Sequence, residues 1–337
     1  MNENMLEIFI ITFNRKEHIK HTLDSLLADE SPVRSFDIKV LDNHSTDGTS
    51  ELLAEYASKY KNVEHIRNHR NVGLSGNLCK AMEFASKKYF WILCDNDYID
   101  FSSWDEIENG IEQNYDVLMT CVDYNCVANK DKKAFVLAQS TFTPSCIYKT
   151  EYLTDDLMTY AMADNPTILP HVSIACKAIN KNAKVLIPQK SIVSLTSNIV
   201  IEDTRQYNFD RVETTEKDKL THIRTKSVNF PCGIVSSFDS CKDKNVREDA
   251  IRILSDSTLC NDFGPFINPV NVIEYAFKHR KETPFYILIE FLMKLPSDMR
   301  NKAILINLLP LYIYKKGNQI WVKIFWSLKT KLWTFKH

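Results

Sequence analysis

Along the first hundred residues, short unbroken apolar runs alternate with segments whose apolar positions recur every three to four residues. Residues 6–12 (Leu-Glu-Ile-Phe-Ile-Ile-Thr) and 36–41 read as strands, 63–67 as a shorter one, and Tyr89-Phe90-Trp91-Ile92-Leu93-Cys94 as a fourth. Runs without polar alternation suit strands covered on both faces, as in a parallel sheet. Between them, Ile19, Leu23, Leu26 and Leu27 share one helical face, Leu52, Leu53, Tyr56 and Tyr60 a second, and Leu78, Ala81, Met82 and Ala85 a third. Strand and helix alternating in this way predict a doubly wound α/β sheet with right-handed crossovers. Ligands of such sheets bind at the carboxyl ends of the strands.

The strand-end loops carry the polar chemistry. The fourth strand stops at Asp95-Asn96-Asp97, two carboxylates at a rim where they could share a divalent cation. The second is followed by Asp42-Asn43-His44-Ser45-Thr46-Asp47-Gly48-Thr49, a turn-rich stretch that can cap the next helix, with Asp47 as the capping residue. Only seven glycines occur in 337 residues, and Gly48, Gly73 and Gly76 all fall in these stretches, where turns or close backbone approach require them.

Four segments then occur in order: Ile10-Ile11-Thr12-Phe13-Asn14-Arg15, the Val40 to Thr49 stretch, Asn71-Val72-Gly73-Leu74-Ser75-Gly76-Asn77, and Leu93-Cys94-Asp95-Asn96-Asp97. Their spacing resembles that of the family 2 glycosyltransferases. The resemblance is dense over residues 5–100 and fades afterwards. It implies a GT-A-like, Rossmann-like, mostly parallel sheet flanked by helices, with a mainly helical C-terminal extension. It divides the chain into a glycosyltransferase domain at 1–200, with a nucleotide-binding half to residue 100 and an acceptor half beyond it, and a helical region at 201–337. The implied reaction is an inverting transfer of a sugar from a nucleoside-diphosphate donor, expected to be a UDP-sugar, to a hydroxyl of a saccharide acceptor. By resemblance, Thr12, Phe13 and Arg15 lie near the nucleotide and Asp42 accepts a hydrogen bond from the base; its rival role is a helix-capping turn residue. Asn71, Gly73 and Asn77 flank the nucleotide and diphosphate, and Asp95, Asn96 and Asp97 form the Asp-x-Asp motif. Asp95 and Asp97 are the implied ligands of Mn²⁺ or Mg²⁺, with Asp97 the more direct one. A hard cation of this kind prefers carboxylate and phosphate oxygens, and needs few protein ligands.

An inverting transfer also needs a base for the acceptor hydroxyl. The family supplies it from a Glu-Asp pair opening a helix. The comparable stretch here, residues 169–180, has Pro170-His171 instead, followed by a strand-like 183–188. His171 is one candidate base and a structural histidine its alternative. Asp164, in the polar loop entering the same helix, is the second candidate. Asp155 and Asp156 are the third candidates, with an exposed acidic turn as their alternative, and Ser145 either touches the sugar or is an ordinary strand residue.

The remaining composition narrows the setting. A net charge of -1 gives no reason to expect a nucleic-acid partner. Nine cysteines without a Cys-x-x-Cys pair suit free thiols in a reducing compartment and point away from zinc. No leader pattern or run of about 18 apolar residues is present, so a cytoplasmic location is expected. A helical pattern at 245–254 turns Val246, Ala250, Ile253 and Leu254 inward. Beyond Asp298 the chain has no acidic residue, while aromatics and lysines interleave to the end. That composition predicts membrane-surface contact through residues 311–337, and the family resemblance implies a lipid-linked saccharide acceptor met at the inner face of the cell membrane; docking of the tail on its own domain or on a partner subunit is the alternative. Oligomeric state is not legible. Two other functions stay open: a degenerate protein that binds a nucleotide sugar without turnover, and a sugar nucleotidylyltransferase, which would want a Gly-rich loop where Asn14-Arg15-Lys16 stands.

Overall fold

The computed structural model describes residues 4–122, 131–164, 169–194, 229–255, 267–278 and 285–315. The elements in order are β1 (Leu6–Thr12), α1 (Lys16–Leu26), β2 (Asp37–Asp42), α2 (Thr49–Lys59), β3 (Val63–Arg67), α3 (Gly73–Phe84), β4 (Tyr89–Cys94), β5 (Tyr98–Ile99), α4 (Trp104–Glu112), β6 (Val117–Met119), α5 (Lys132–Gln139) and β7 (Cys146–Lys149). A short α6 (Asp155–Thr159) then runs into a π-helical turn, Tyr160–Asp164. After it come α7 (Val172–Asn180), β8 (Val185–Leu186), β9 (Val193–Ser194), α8 (Asn229–Ser236), α9 (Lys244–Ser255), α10 (Pro269–Lys278), α11 (Phe285–Lys294) and α12 (Ser297–Lys315).

Seven strands form one sheet in the order β3-β2-β1-β4-β7-β6-β8. The first four are parallel to one another, with Thr12 level with Asp42 and Ile11 with Cys94. β7 runs antiparallel to both β4 and β6, and β8 is parallel to β6. The sheet is therefore mostly parallel and flanked by helices, with a helical C-terminal region, as expected.

The unbroken apolar runs have a direct explanation. Leu6, Ile8 and Ile10 of β1, with Tyr89, Trp91 and Leu93 of β4, pack on one face against Ile19, Leu23, Leu53 and Ile107 of α1, α2 and α4. Phe9, Ile11, Phe90 and Ile92 point the other way, against Leu78 and Met82 of α3. Alternate residues serve opposite cores, so every position is apolar. The exception is Glu7, fully buried on β1. Its carboxylate accepts from the backbone N–H groups of Ser86 and Lys87 and from Lys39 Nζ, pinning the turn before β4 to the edge of β1.

The C-terminal helices share the second core. Val246, Ala250, Ile253 and Leu254 of α9, all predicted to face inward, join Phe135 of α5 and Ile174 of α7 in that cluster, together with Phe291 of α11 and Ala303 of α12. The expected boundary at residue 200 lies outside the described residues, as does the tail from 316 onward. The predicted strand at 183–188 shrinks to the two residues of β8. Among the described residues, no helix is long and apolar enough to cross a membrane.

Candidate active site

Four loops meet at the carboxyl end of the parallel strands. The loop after β1 turns on Asn14, which takes a positive φ of 51°, a conformation that asparagine tolerates better than most residues. Its backbone N–H donates to Ser45 Oγ at 2.9 Å, and its side-chain oxygen accepts from the Thr46 N–H at 2.8 Å. The β1 and β2 loops are thereby stitched together. Gly48 follows at φ 91° as α2 begins. Asp47 accepts from the Thr49 N–H at 3.1 Å and from the Lys16 N–H at 3.2 Å, the structural role its turn position suggested.

Asp42 ends β2, fully buried. Oδ1 accepts from the Ser45 N–H at 2.8 Å, Oδ2 accepts from the Ser50 hydroxyl, and His65 Nε2 and Arg67 Nε both stand 3.5 Å from Oδ2. Burial alone would raise its pKa; the contacts with His65, Ser45 and Ser50 outweigh it and hold the carboxyl at about 2. The carboxylate therefore already turns the β2 loop and fastens it to β3. The turn-residue reading and the base-recognition reading fall on one side chain.

Behind it lies an amide relay that the sequence did not reveal. Asn43 Nδ2 donates to Asn71 Oδ1 at 2.8 Å and to the Gly73 carbonyl at 3.2 Å, while Asn43 Oδ1 accepts from the Val72 N–H and from Asn68 Nδ2. Asn68 Nδ2 also donates to Asn77 Oδ1 at 3.0 Å, and Asn77 Nδ2 donates to the Leu41 carbonyl at 2.9 Å. Asn71, Gly73 and Asn77 are thus held as one unit at the start of α3. Gly73, at φ 75°, supplies the left-handed turn into that helix. The only visible signal for the relay was the density of asparagine in residues 68–77.

The two aspartates after β4 have different surroundings. Asp95 Oδ2 accepts from the Thr12 hydroxyl at 2.8 Å, Oδ1 pairs with Arg15 Nη1 at 2.7 Å, and its backbone carbonyl accepts from Thr22 Oγ1 at 2.9 Å. Both partners of the ion pair are buried. Thr12, Arg15 and Asp95 are therefore brought together as an internal clamp between β1 and β4. The oxygens of Asp95 accept an O–H and a guanidinium N–H. Asp97 Oδ2 accepts from the Cys94 N–H at 2.7 Å, which turns the loop back on itself. Asn96 and Phe13 are half-buried beside them. Among the described residues, no group of three or more His, Cys, Asp or Glu side chains is gathered for a metal.

What holds Asp97 in place was also hidden in the sequence. Immediately after it, β5 pairs antiparallel with β9, Tyr98 opposite Ser194 and Ile99 opposite Val193. The Asp100 N–H donates to the Ile192 carbonyl at 2.8 Å, and the Ile192 N–H donates to the Thr120 carbonyl at 2.7 Å.

The candidate bases separate clearly. His171 stands at the N-cap position of α7, makes no side-chain cap bond, and is 1% exposed. Nε2 donates to the Ser140 carbonyl at 3.0 Å, and Nδ1 is buried without a hydrogen-bond partner. Burial, only partly opposed by the Ser140 bond, lowers its pKa to about 4. A buried ring bonded to the backbone fits the structural alternative for His171. Ser145 is likewise buried, donating to the Gln139 carbonyl. Asp156 is an exposed acid paired with Lys177 at 3.1 Å and held at about 2 by Thr154 and Lys177, as an acidic turn would be. Asp164 closes the π-helical turn, and its side chain lies outside the described residues. That turn is tied to α3 through Cys79 Sγ, which donates to the Ala161 carbonyl at 3.6 Å.

The strand-end loops of this mostly parallel sheet thus gather an Asp-x-Asp turn, a buried β2 aspartate and an asparagine-rich helix entry. Residues 7–168, just under half of the chain, match the Glycosyl transferase family 2 model. A curated relative, the abequosyltransferase RfbV of Salmonella typhimurium, is 27% identical over 116 residues, 34% of this chain and 35% of the relative. The poly(ribitol-phosphate) beta-glucosyltransferase of Bacillus spizizenii is 32% identical over 95 residues, 28% of this chain and 15% of that one. Each of these relatives is matched over about a third of its length or less. The S. aureus TarS 1-349 structure in complex with UDP-GlcNAc superposes with a TM-score of 0.55 at 16% identity, over 94% of this chain and 88% of that one. This last likeness shows the GT-A fold.

Proposed function

We propose that this chain is an inverting glycosyltransferase that moves a sugar from a UDP-sugar to a saccharide hydroxyl during cell-surface polysaccharide synthesis. The observation that carries the reading is the convergence of Thr12, Arg15, Asp42, the asparagine relay and the Asp95–Asp97 turn at one sheet edge. Names of relatives support the setting: one is an abequosyltransferase and another acts on poly(ribitol-phosphate). A fold neighbour solved with UDP-GlcNAc supports a uridine donor.

In this reading Asp42 and the Asn43–Asn77 relay shape the cleft for the nucleotide, and α3 offers the positive end of its dipole to the diphosphate. Arg15 fixes Asp95, which in turn fixes Thr12, so the cleft floor needs no rearrangement on binding. Asp97 is the residue that would hold Mn²⁺ or Mg²⁺; one carboxylate joined by donor phosphate oxygens fits the coordination habits of such a cation. The ion, when bound, neutralises charge on the departing diphosphate. With His171 sealed, Asp164 is the proposed base, because its turn is fastened to the helix that borders the nucleotide cleft. The proposed acceptor is a lipid-linked saccharide, met at the inner face of the membrane through residues 311–337.

The test is release of nucleoside diphosphate from a panel of nucleoside-diphosphate sugars, with and without Mn²⁺. UDP release that requires the ion is expected from one of the UDP-sugars. Asp97→Asn should lower it on the order of a hundredfold or more, since the ion contributes several kcal/mol to the transition state. Equal release by wild type and variant would remove Asp97 from the mechanism, and no release from any donor would favour the degenerate binding protein.

A further inference from the structure

Lys80 of α3 forms the charged end of the asparagine relay. Its Nζ donates to Asn68 Oδ1 at 2.6 Å. A lysine ammonium carries only donors, so this contact fixes which end of the Asn68 amide is the oxygen. Both Nδ2 hydrogens of Asn68 are then committed, one to Asn43 Oδ1 and one to Asn77 Oδ1, each at 3.0 Å. Backbone groups fix the other amides in the same way. The Val72 N–H donates to Asn43 Oδ1 at 2.9 Å, and the Gly73 N–H donates to Asn71 Oδ1 at 2.8 Å. The Leu41 and Gly73 carbonyls accept from Asn77 Nδ2 and Asn43 Nδ2.

The relay therefore runs one way, from Lys80 through Asn68 and Asn43 to Asn71. Asn68 and Asn43 are buried, Lys80 is half-buried, and Asn71 is exposed. Asn71 Oδ1 is occupied by Asn43 Nδ2 and the Gly73 N–H, while its Nδ2 has no partner among the described residues. The open end of the relay thus presents two N–H groups. Of the parts of a nucleotide sugar, the diphosphate is the one built wholly of acceptor oxygens, and bonds to an anionic oxygen are the stronger kind. Hydrogen bonds in series polarise one another, so a cation at one end adds to the pull of the N–H groups at the other.

We infer that Lys80 is a positioning residue for the diphosphate of the sugar donor: through Asn68 and Asn43 it holds the Asn71 amide with its N–H groups offered to the phosphate oxygens. The inference rests on the transferase reading and deepens it, because it names the atoms that meet the diphosphate and the residue that aims them. Lys80 acts through Asn68 and is not itself the phosphate contact.

The experiment is isothermal titration of the full chain with UDP and, separately, with uridine, whose difference isolates the phosphates. Asn71→Asp keeps an oxygen for Asn43 and Gly73, and sets an anion where the N–H groups stood. Its affinity for UDP should fall at least about a hundredfold, because juxtaposed like charges are costly, with uridine binding unchanged. Lys80→Met should weaken UDP about fivefold and leave uridine alone. Lys80→Arg, which restores a donor-only cation, should recover the wild-type value. In the ligand-free chain, the ¹⁵N side-chain amide signals of Asn68, Asn43 and Asn71 should all move in Lys80→Met and return in Lys80→Arg. Equal weakening of UDP and uridine by Lys80→Met would reduce Lys80 to a structural prop and overturn the proposal. So would UDP binding that neither Lys80→Met nor Asn71→Asp disturbs. A wild-type chain with no affinity for UDP would sink the uridine-donor reading, and the proposal with it; that outcome is told apart because the wild type itself then fails.

Discussion

Replacing His171 with glutamine tests how the acceptor half is built. In the folded chain the ring is sealed, Nε2 donates to the Ser140 carbonyl, and the pKa falls to about 4 from the ordinary 6.5. Between those values the unfolded chain binds a proton that the folded chain refuses. Stability is therefore complete above pH 6.5 and drains away as pH falls toward 4. The whole difference of 2.5 pKa units corresponds to about 3 kcal/mol, of which about 2 kcal/mol is lost already at pH 5. Asp42, held at about 2, titrates below this window and does not confuse it. Glutamine keeps a donor for the Ser140 carbonyl and has nothing to protonate. Urea unfolding at pH 7.5 and pH 5 should show the wild type losing about 2 kcal/mol more than His171→Gln over that interval. Sugar transfer at neutral pH should persist in the variant. Equal losses for the two proteins would refute the sealed, neutral ring. A variant that binds donor normally but no longer turns over would return His171 to the chemistry.

Two further substitutions probe the cleft floor. Asp95→Asn removes the carboxylate that stands 2.7 Å from the buried Arg15 guanidinium, so a loss of about 3 kcal/mol is expected in urea titrations, with Arg15→Met added to the same chain recovering part of it; a change under about 1 kcal/mol would mean that the ion pair is not the clamp described. Asn77→Ala strips the Leu41 carbonyl of its side-chain donor and Asn68 of an acceptor, for about 2 kcal/mol, and should weaken donor binding through the slackened loop; isothermal titration showing unchanged affinity would detach the relay from the nucleotide site.

Much of the nucleotide half was readable from one dimension. The apolar runs of β1 and β4 announced strands covered on both faces, and the structure divides their side chains alternately between two cores. The motif residues Thr12, Asp42 and Asp95 stand at strand ends, and Asn71 stands just before α3, as their places in the pattern implied. The acceptor half was less legible. Its strands are two to four residues long, too short for a periodicity of two to show, and β7 runs against the parallel direction that the first four strands establish.

Local pattern by itself determined where strands, helices and polar turns fall, because alternation and helical spacing are properties of neighbours in the chain. Only the folded arrangement decided the partners. Arg15 meets Asp95 because β1 and β4 lie side by side in the sheet, and Asp42 meets His65 and Arg67 because β2 lies beside β3. The Pro170-His171 pair, suggestive of chemistry as a string of letters, puts a buried ring at the N-cap position because α7 packs its first turn against the carbonyl that ends α5. A side chain's role follows from which distant backbone the sheet order brings within 3 Å of it, and spacing along a sequence carries no record of that distance.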